Sequence, residues 1–113
     1  MFKTLHLIFI EQYTELWTAL DEIAERIRPL GLMPRYGGST HAGLSSIPEA
    51  AQNPSTLDMV RELVAGHEAV ARTARSMFAL ADAADDQPSA DLLTQRLQVH
   101  EKTAWMLRSL LEN

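Results

Sequence analysis

The chain has 113 residues, enough for one domain with a modest core, and a formal net charge of -5. With that charge and no lysine-rich or arginine-rich tail it has no general attraction to nucleic acid or anionic lipid, so DNA binding is not expected. Cysteine is absent, which excludes disulfides, thiolate metal sites and cysteine nucleophiles, suits a cytoplasmic address, and leaves chemistry to His, Asp and Glu.

The opening Met1–Ile10 is apolar but short, carries Lys3 and His6, and runs into Glu11, Gln12 and Glu15 with no small-residue cleavage site. It reads as neither a signal peptide nor a membrane span, and no membrane partner is expected. From Phe2 to Leu30 the residues Phe2, Leu5, Phe9, Tyr13, Leu16, Leu20, Ile23, Ile27 and Leu30 step by three or four. That spacing predicts a long amphipathic helix, ended by Pro29 and Gly31.

Between Leu32 and Pro54 the chain is rich in Gly, Pro and Ser. This reads as a long connector, with one short helix predicted within Leu44–Ala51. Ser55 and Thr56, with Asp58 in the first turn, signal a second long helix, whose stripe runs through Val60, Leu63, Val64, His67, Val70, Ala74, Met77, Phe78 and Ala81. Asp82, Asp85, Asp86 and Pro88 stop it. Ser89 is expected to cap a last helix striped by Leu93, Leu97, His100, Ala104, Leu107 and Leu111. No alternating strand pattern and no internal repeat interrupts this all-α reading.

Three long helices of this kind carry more apolar surface than one copy buries. The first has a second apolar flank at Leu7, Ile10 and Trp17 beside its main stripe, which predicts a homo-oligomer with Ile10 and Trp17 at the interface. On the same helix, a turn of 100° per residue places Asp21 about 60° and Glu25 about 100° around from His6, so the three share a face. A rise of about 1.5 Å per residue nevertheless separates His6 from Asp21 by about 22 Å. One helix cannot bring them to a single ion. A second, antiparallel copy whose two-fold axis crosses near Thr14–Trp17 places His6 of one chain beside Asp21 and Glu25 of the other, a donor set suited to Fe(II), Mn(II) or Zn(II).

The stretches Phe2-Lys3-Thr4-Leu5-His6, Glu11-Gln12-Tyr13 and Asp21-Glu22-Ile23-Ala24-Glu25-Arg26-Ile27-Arg28 resemble the second helix of the Dps mini-ferritins, in the ferritin-like superfamily. Leu44-Ser45-Ser46-Ile47-Pro48 resembles that family's connector; Val64-Ala65-Gly66-His67-Glu68 and His100-Glu101-Lys102-Thr103-Ala104-Trp105 resemble its last two helices. The resemblance implies a ferritin-like helical bundle, here one domain over 1–113 reduced to three long helices plus a short connector helix and completed by oligomerisation, with no counterpart of the family's first helix before Met1. It also implies iron binding and a ferroxidase reaction between two-fold-related subunits, with peroxide as oxidant and ferric oxide stored in a dodecameric cage.

His6, Asp21 and Glu25 match the family's metal-ligand positions, and Asp91 matches the acidic lining of its three-fold pore. The position four after His6, a carboxylate in the family, is Ile10, whose alkyl group coordinates nothing. Weakened activity is therefore expected, and a non-enzymatic self-assembly domain is the competing reading. His67 and His100 lie on apolar stripes and read as buried, hydrogen-bonded histidines rather than ligands. Trp105 reads as a packing residue, and His41, in the connector, is assigned no role.

Overall fold

A computed structural model describes residues 2–112. Four helices and no strand occur among the described residues: α1 (Phe2–Ile27), α2 (Gly38–Leu44), α3 (Thr56–Ala83) and α4 (Gln87–Ser109). The chain divides into two compact units, Met1–His41 and Ala42–Asn113.

The first unit is dominated by α1, 26 residues long and helical without interruption. Its end is chemically defined. Pro29 has no N–H to continue the helical ladder, and Gly31 adopts a φ of 92°. The Leu32 N–H then reaches back to the Ile27 carbonyl at 3.4 Å and the Gly31 N–H to Arg28 at 2.9 Å. That pair of bonds is a Schellman motif, which satisfies carbonyls the helix leaves open. The sequence placed this stop correctly, at Pro29 and Gly31.

The connector departs from expectation. A short helix was predicted within Leu44–Ala51, but the short helix ends at Leu44, having started at Gly38. Two local effects explain why the residues after Leu44 are not helical. The Ser45 hydroxyl accepts the Ile47 N–H at 3.0 Å, and Pro48 disfavours helical backbone at Ile47.

In the second unit, Ser55 caps α3 by accepting the Asp58 N–H at 3.2 Å, as the sequence predicted. The end of α3 repeats the Schellman pattern, with Asp86 N–H bonded to Ala81 and Asp85 N–H to Asp82. Here Asp85, at φ 55°, fills the left-handed position that glycine usually holds. Asp86, not Ser89 as expected, caps α4, and Pro88 sits in the first turn, where a missing N–H carries no penalty. The short link makes α3 and α4 an antiparallel helical hairpin, packed along its length. Val60, Val64, Ala71 and Ala74 from α3, with Ala90, Ala104 and Leu107 from α4, are its buried apolar residues.

Candidate functional site

Two groups of side chains have chemical potential, one in each unit. The first is the face of α1. His6, Asp21 and Glu25 are all exposed on it, and the His6 ring stacks on Phe2 with centroids 5.8 Å apart. Because α1 is unbroken, its rise keeps His6 about 22 Å from Asp21. Among the described residues no group of three His, Asp or Glu comes close enough within one chain to hold a metal.

Between these ends lie apolar side chains turned to solvent. Ile10 is 48% exposed and Trp17 61%, with the Trp17 ring stacked on Tyr13 at 6.5 Å. Trp105, read from sequence as a packing residue, is 63% exposed. Asp91 is exposed near the start of α4 and accepts the Gln95 side-chain amide at 2.8 Å, one helical turn on.

The second group lies between α3 and α4. His67 and His100 are buried, with their Nδ1 atoms 2.8 Å apart and their rings tilted by 40°. On the far side of His100, its Nε2 meets an Arg96 guanidinium nitrogen at 2.8 Å. The sequence identified both histidines as buried and hydrogen-bonded, and the structure shows that they bond to each other. Arg96 was missed altogether. The signal was its spacing four before His100, which puts both on one face of a helix.

Beside this chain of bonds opens a cleft of about 230 Å³ lined by His67, Glu68, Ala71, His100, Glu101, Ala104 and Arg108. Its carboxylates are engaged in cross-helix ion pairs, Glu68 with Arg108 at 3.3 Å and Glu101 with Arg75. Both pairs are solvent-exposed, so each adds at most about 1 kcal/mol to the hairpin.

The ferritin-like domain family matches the chain over residues 1–113. An uncharacterized low temperature-induced protein of Nostoc sp. is 39% identical over 113 residues; the alignment takes in 98% of this chain and 63% of the relative, so the chain spans less than two thirds of that protein. DNA protection during starvation protein 2 of Bacillus anthracis is 38% identical over 110 residues, covering 97% of this chain and 75% of that one. Among solved structures, a Dps protein from Vibrio cholerae O1, described as a member of a broad superfamily of ferritin-like diiron-carboxylate proteins, superposes with a TM-score of 0.91 at 30% identity, covering 96% of this chain and 68% of the other. The chain therefore belongs to the ferritin-like superfamily and, within it, to the Dps mini-ferritins.

Proposed function

We propose that this chain handles iron as a Dps-type protein does, binding Fe(II) as substrate between two copies and oxidising it. The observation that carries the reading is the layout of α1. His6, Asp21 and Glu25 share one exposed face of an unbroken helix, at a separation that only an antiparallel second copy closes. Imidazole and carboxylates are a suitable donor set for Fe(II), and a diiron-carboxylate relative supports that choice of metal.

In the proposed site, His6 of one copy and Asp21 and Glu25 of its partner hold the ion, and water fills the positions left over. The carboxylates neutralise part of the charge gained as Fe(II) becomes Fe(III). Peroxide balances the electrons: one H2O2 takes one electron from each of two Fe(II) and, with two protons, leaves as two waters. Ile10 adds no ligand, so turnover is weaker than a fuller carboxylate set would give. The apolar Ile10 and Trp17 seal the two-fold contact, and Asp91 lines an entry pore if copies close into a cage. One domain over 1–113, acting in the cytoplasm without binding DNA, completes the proposal.

The test is Fe(II) titration of the purified protein and of His6→Ala under anaerobic conditions. The proposal expects saturable binding in the parent and a loss of about 100-fold or more in affinity in the variant, since even residues behind metal ligands contribute 10–100-fold. Equal weak binding by both, with an unchanged oligomer, would leave a self-assembly domain without iron chemistry.

A further inference from the structure

We propose that Arg96, His100 and His67 form an acid-release latch joining α4 to α3, a device separate from the iron site. The donor and acceptor atoms fix where the protons sit. A guanidinium has only donors, so at the 2.8 Å contact with Arg96 the Nε2 of His100 accepts and carries no proton. A neutral imidazole keeps its single proton on the other nitrogen, so Nδ1 of His100 donates. Its partner at 2.8 Å is Nδ1 of His67, which therefore accepts, and His67 carries its own proton on Nε2.

One arrangement of protons satisfies the whole chain. Adding a proton at Nε2 of His100 turns it against the guanidinium, and adding one at Nδ1 of His67 turns it against the His100 N–H. Both residues are buried, at 6% and 2% exposure, so a bond turned repulsive by an added proton is costly to lose.

Charged groups on both helices border the pair. Those that line the cleft or pair across it include Glu68 and Arg75 on α3 and Glu101 and Arg108 on α4, with Arg96 in contact with the ring itself. The two glutamates, which would otherwise stabilise an imidazolium, are already paired with Arg108 and Arg75 at the solvent-exposed rim, where their fields are screened. The buried guanidinium is in direct contact with the ring. It opposes a second positive charge.

In the unfolded chain each histidine takes up a proton near pH 6.5. Lowering the pH from 7.5 to 5 then raises the unfolding equilibrium constant by about 30-fold for each ring held neutral, and about 1000-fold for the two. Stability from the latch is present above the unfolded-state value and is lost as pH falls below it.

The test is long-range proton–nitrogen NMR of the histidine rings in the full chain, alongside urea unfolding at both pH values. The expected spectra show His100 protonated at Nδ1 and His67 at Nε2 at pH 7.5, with neither an imidazolium while the chain is folded at pH 5.5. His67→Gln, which keeps an acceptor for His100, is expected to remove about 30-fold of the acid sensitivity. The NMR needs no variant and decides the matter if His67→Gln does not fold. The opposite tautomers, or an imidazolium on either ring in the folded chain, would overturn the latch, as would an unchanged acid sensitivity in a folded His67→Gln.

Discussion

The Asp86 carboxylate accepts the Ser89 backbone N–H at 3.2 Å, while its own N–H reaches the Ala81 carbonyl at 2.9 Å. One residue thus closes α3 and opens α4, fixing the turn of the hairpin that holds the buried histidines. Asp86→Ala removes the side-chain half of this arrangement and is expected to lower stability by about 1 kcal/mol, as other N-cap losses do. Asp86→Asn, which keeps an acceptor oxygen, should recover most of it. Urea unfolding of the two variants side by side checks the claim.

The neighbouring Asp85 sits at φ 55°, a conformation in which a Cβ meets the following carbonyl. Asp85→Gly is expected to be neutral or mildly stabilising, whereas Asp85→Ala, without the local hydrogen bonding that lets Asp tolerate this region, should cost about 1 kcal/mol. Gly31, at φ 92°, gives the converse case, and Gly31→Ala should be destabilising by a similar amount, about 1 kcal/mol. Thermal midpoints of the three variants separate these outcomes.

At the start of α3, hydrogen bonding with Ser55, then the Arg61 guanidinium, hold the Asp58 carboxyl below the ordinary 3.8. Because the folded-state value is depressed, the stabilisation is present above about 3.8 and fades as pH falls through the lower folded-state value. Ser55→Ala should therefore weaken the hairpin by about 1 kcal/mol at neutral pH through the lost cap, and its Asp58 should titrate at higher pH than in the parent. Carboxyl-carbon NMR of Asp58 in both proteins reads the shift directly.

Much of this architecture is legible in residue spacing because helices announce themselves by period and by their ends. Ser55 and Gly31 are such end signals, each making a hydrogen bond to or from the backbone in the structure, and Pro29 lacks the N–H that would extend the helix. The connector misled because Leu44–Ala51 contains enough helix-compatible residues to suggest a helix, while Ser45 and Pro48 act through one hydrogen bond and one steric clash that composition does not weigh. Asp86 displaced Ser89 as the cap because Pro88 belongs at a helix start as readily as after a helix end. In the second unit, the burial of His67 and His100 was readable from their stripes. Their pairing was not, since it depends on how two helices distant in sequence are registered, and Arg96 looked like any surface arginine until that register was known.

Ile10 is the residue whose replacement speaks most directly to iron turnover. It is 48% exposed one turn after His6, and Ile10→Asp adds a carboxylate on the side of the helix that carries the imidazole. The expected result is a rise in initial Fe(II) oxidation rate with peroxide, by about 10-fold or more if the added group behaves as a ligand, together with weaker self-association as an apolar contact becomes charged. Stopped-flow absorbance and sedimentation read the two effects separately.

The net charge of -5 bears on how any protection of DNA would work. Retarded migration of duplex DNA is not expected at 50 mM salt, where basic binders hold most tightly, whereas DNA strand cleavage by Fe(II) and peroxide should fall when the protein is present. A gel shift that weakens as salt is added would show direct binding instead.

Anomalous X-ray scattering at the iron edge, on crystals soaked anaerobically in Fe(II), puts the iron proposal to its most direct test because it reports position, occupancy and contributing chain together. The expected result is a peak between two copies, bounded by His6 of one protomer and by Asp21 and Glu25 of the other. A dry two-fold contact packed by Ile10 and Trp17, with no peak at His6, would contradict it.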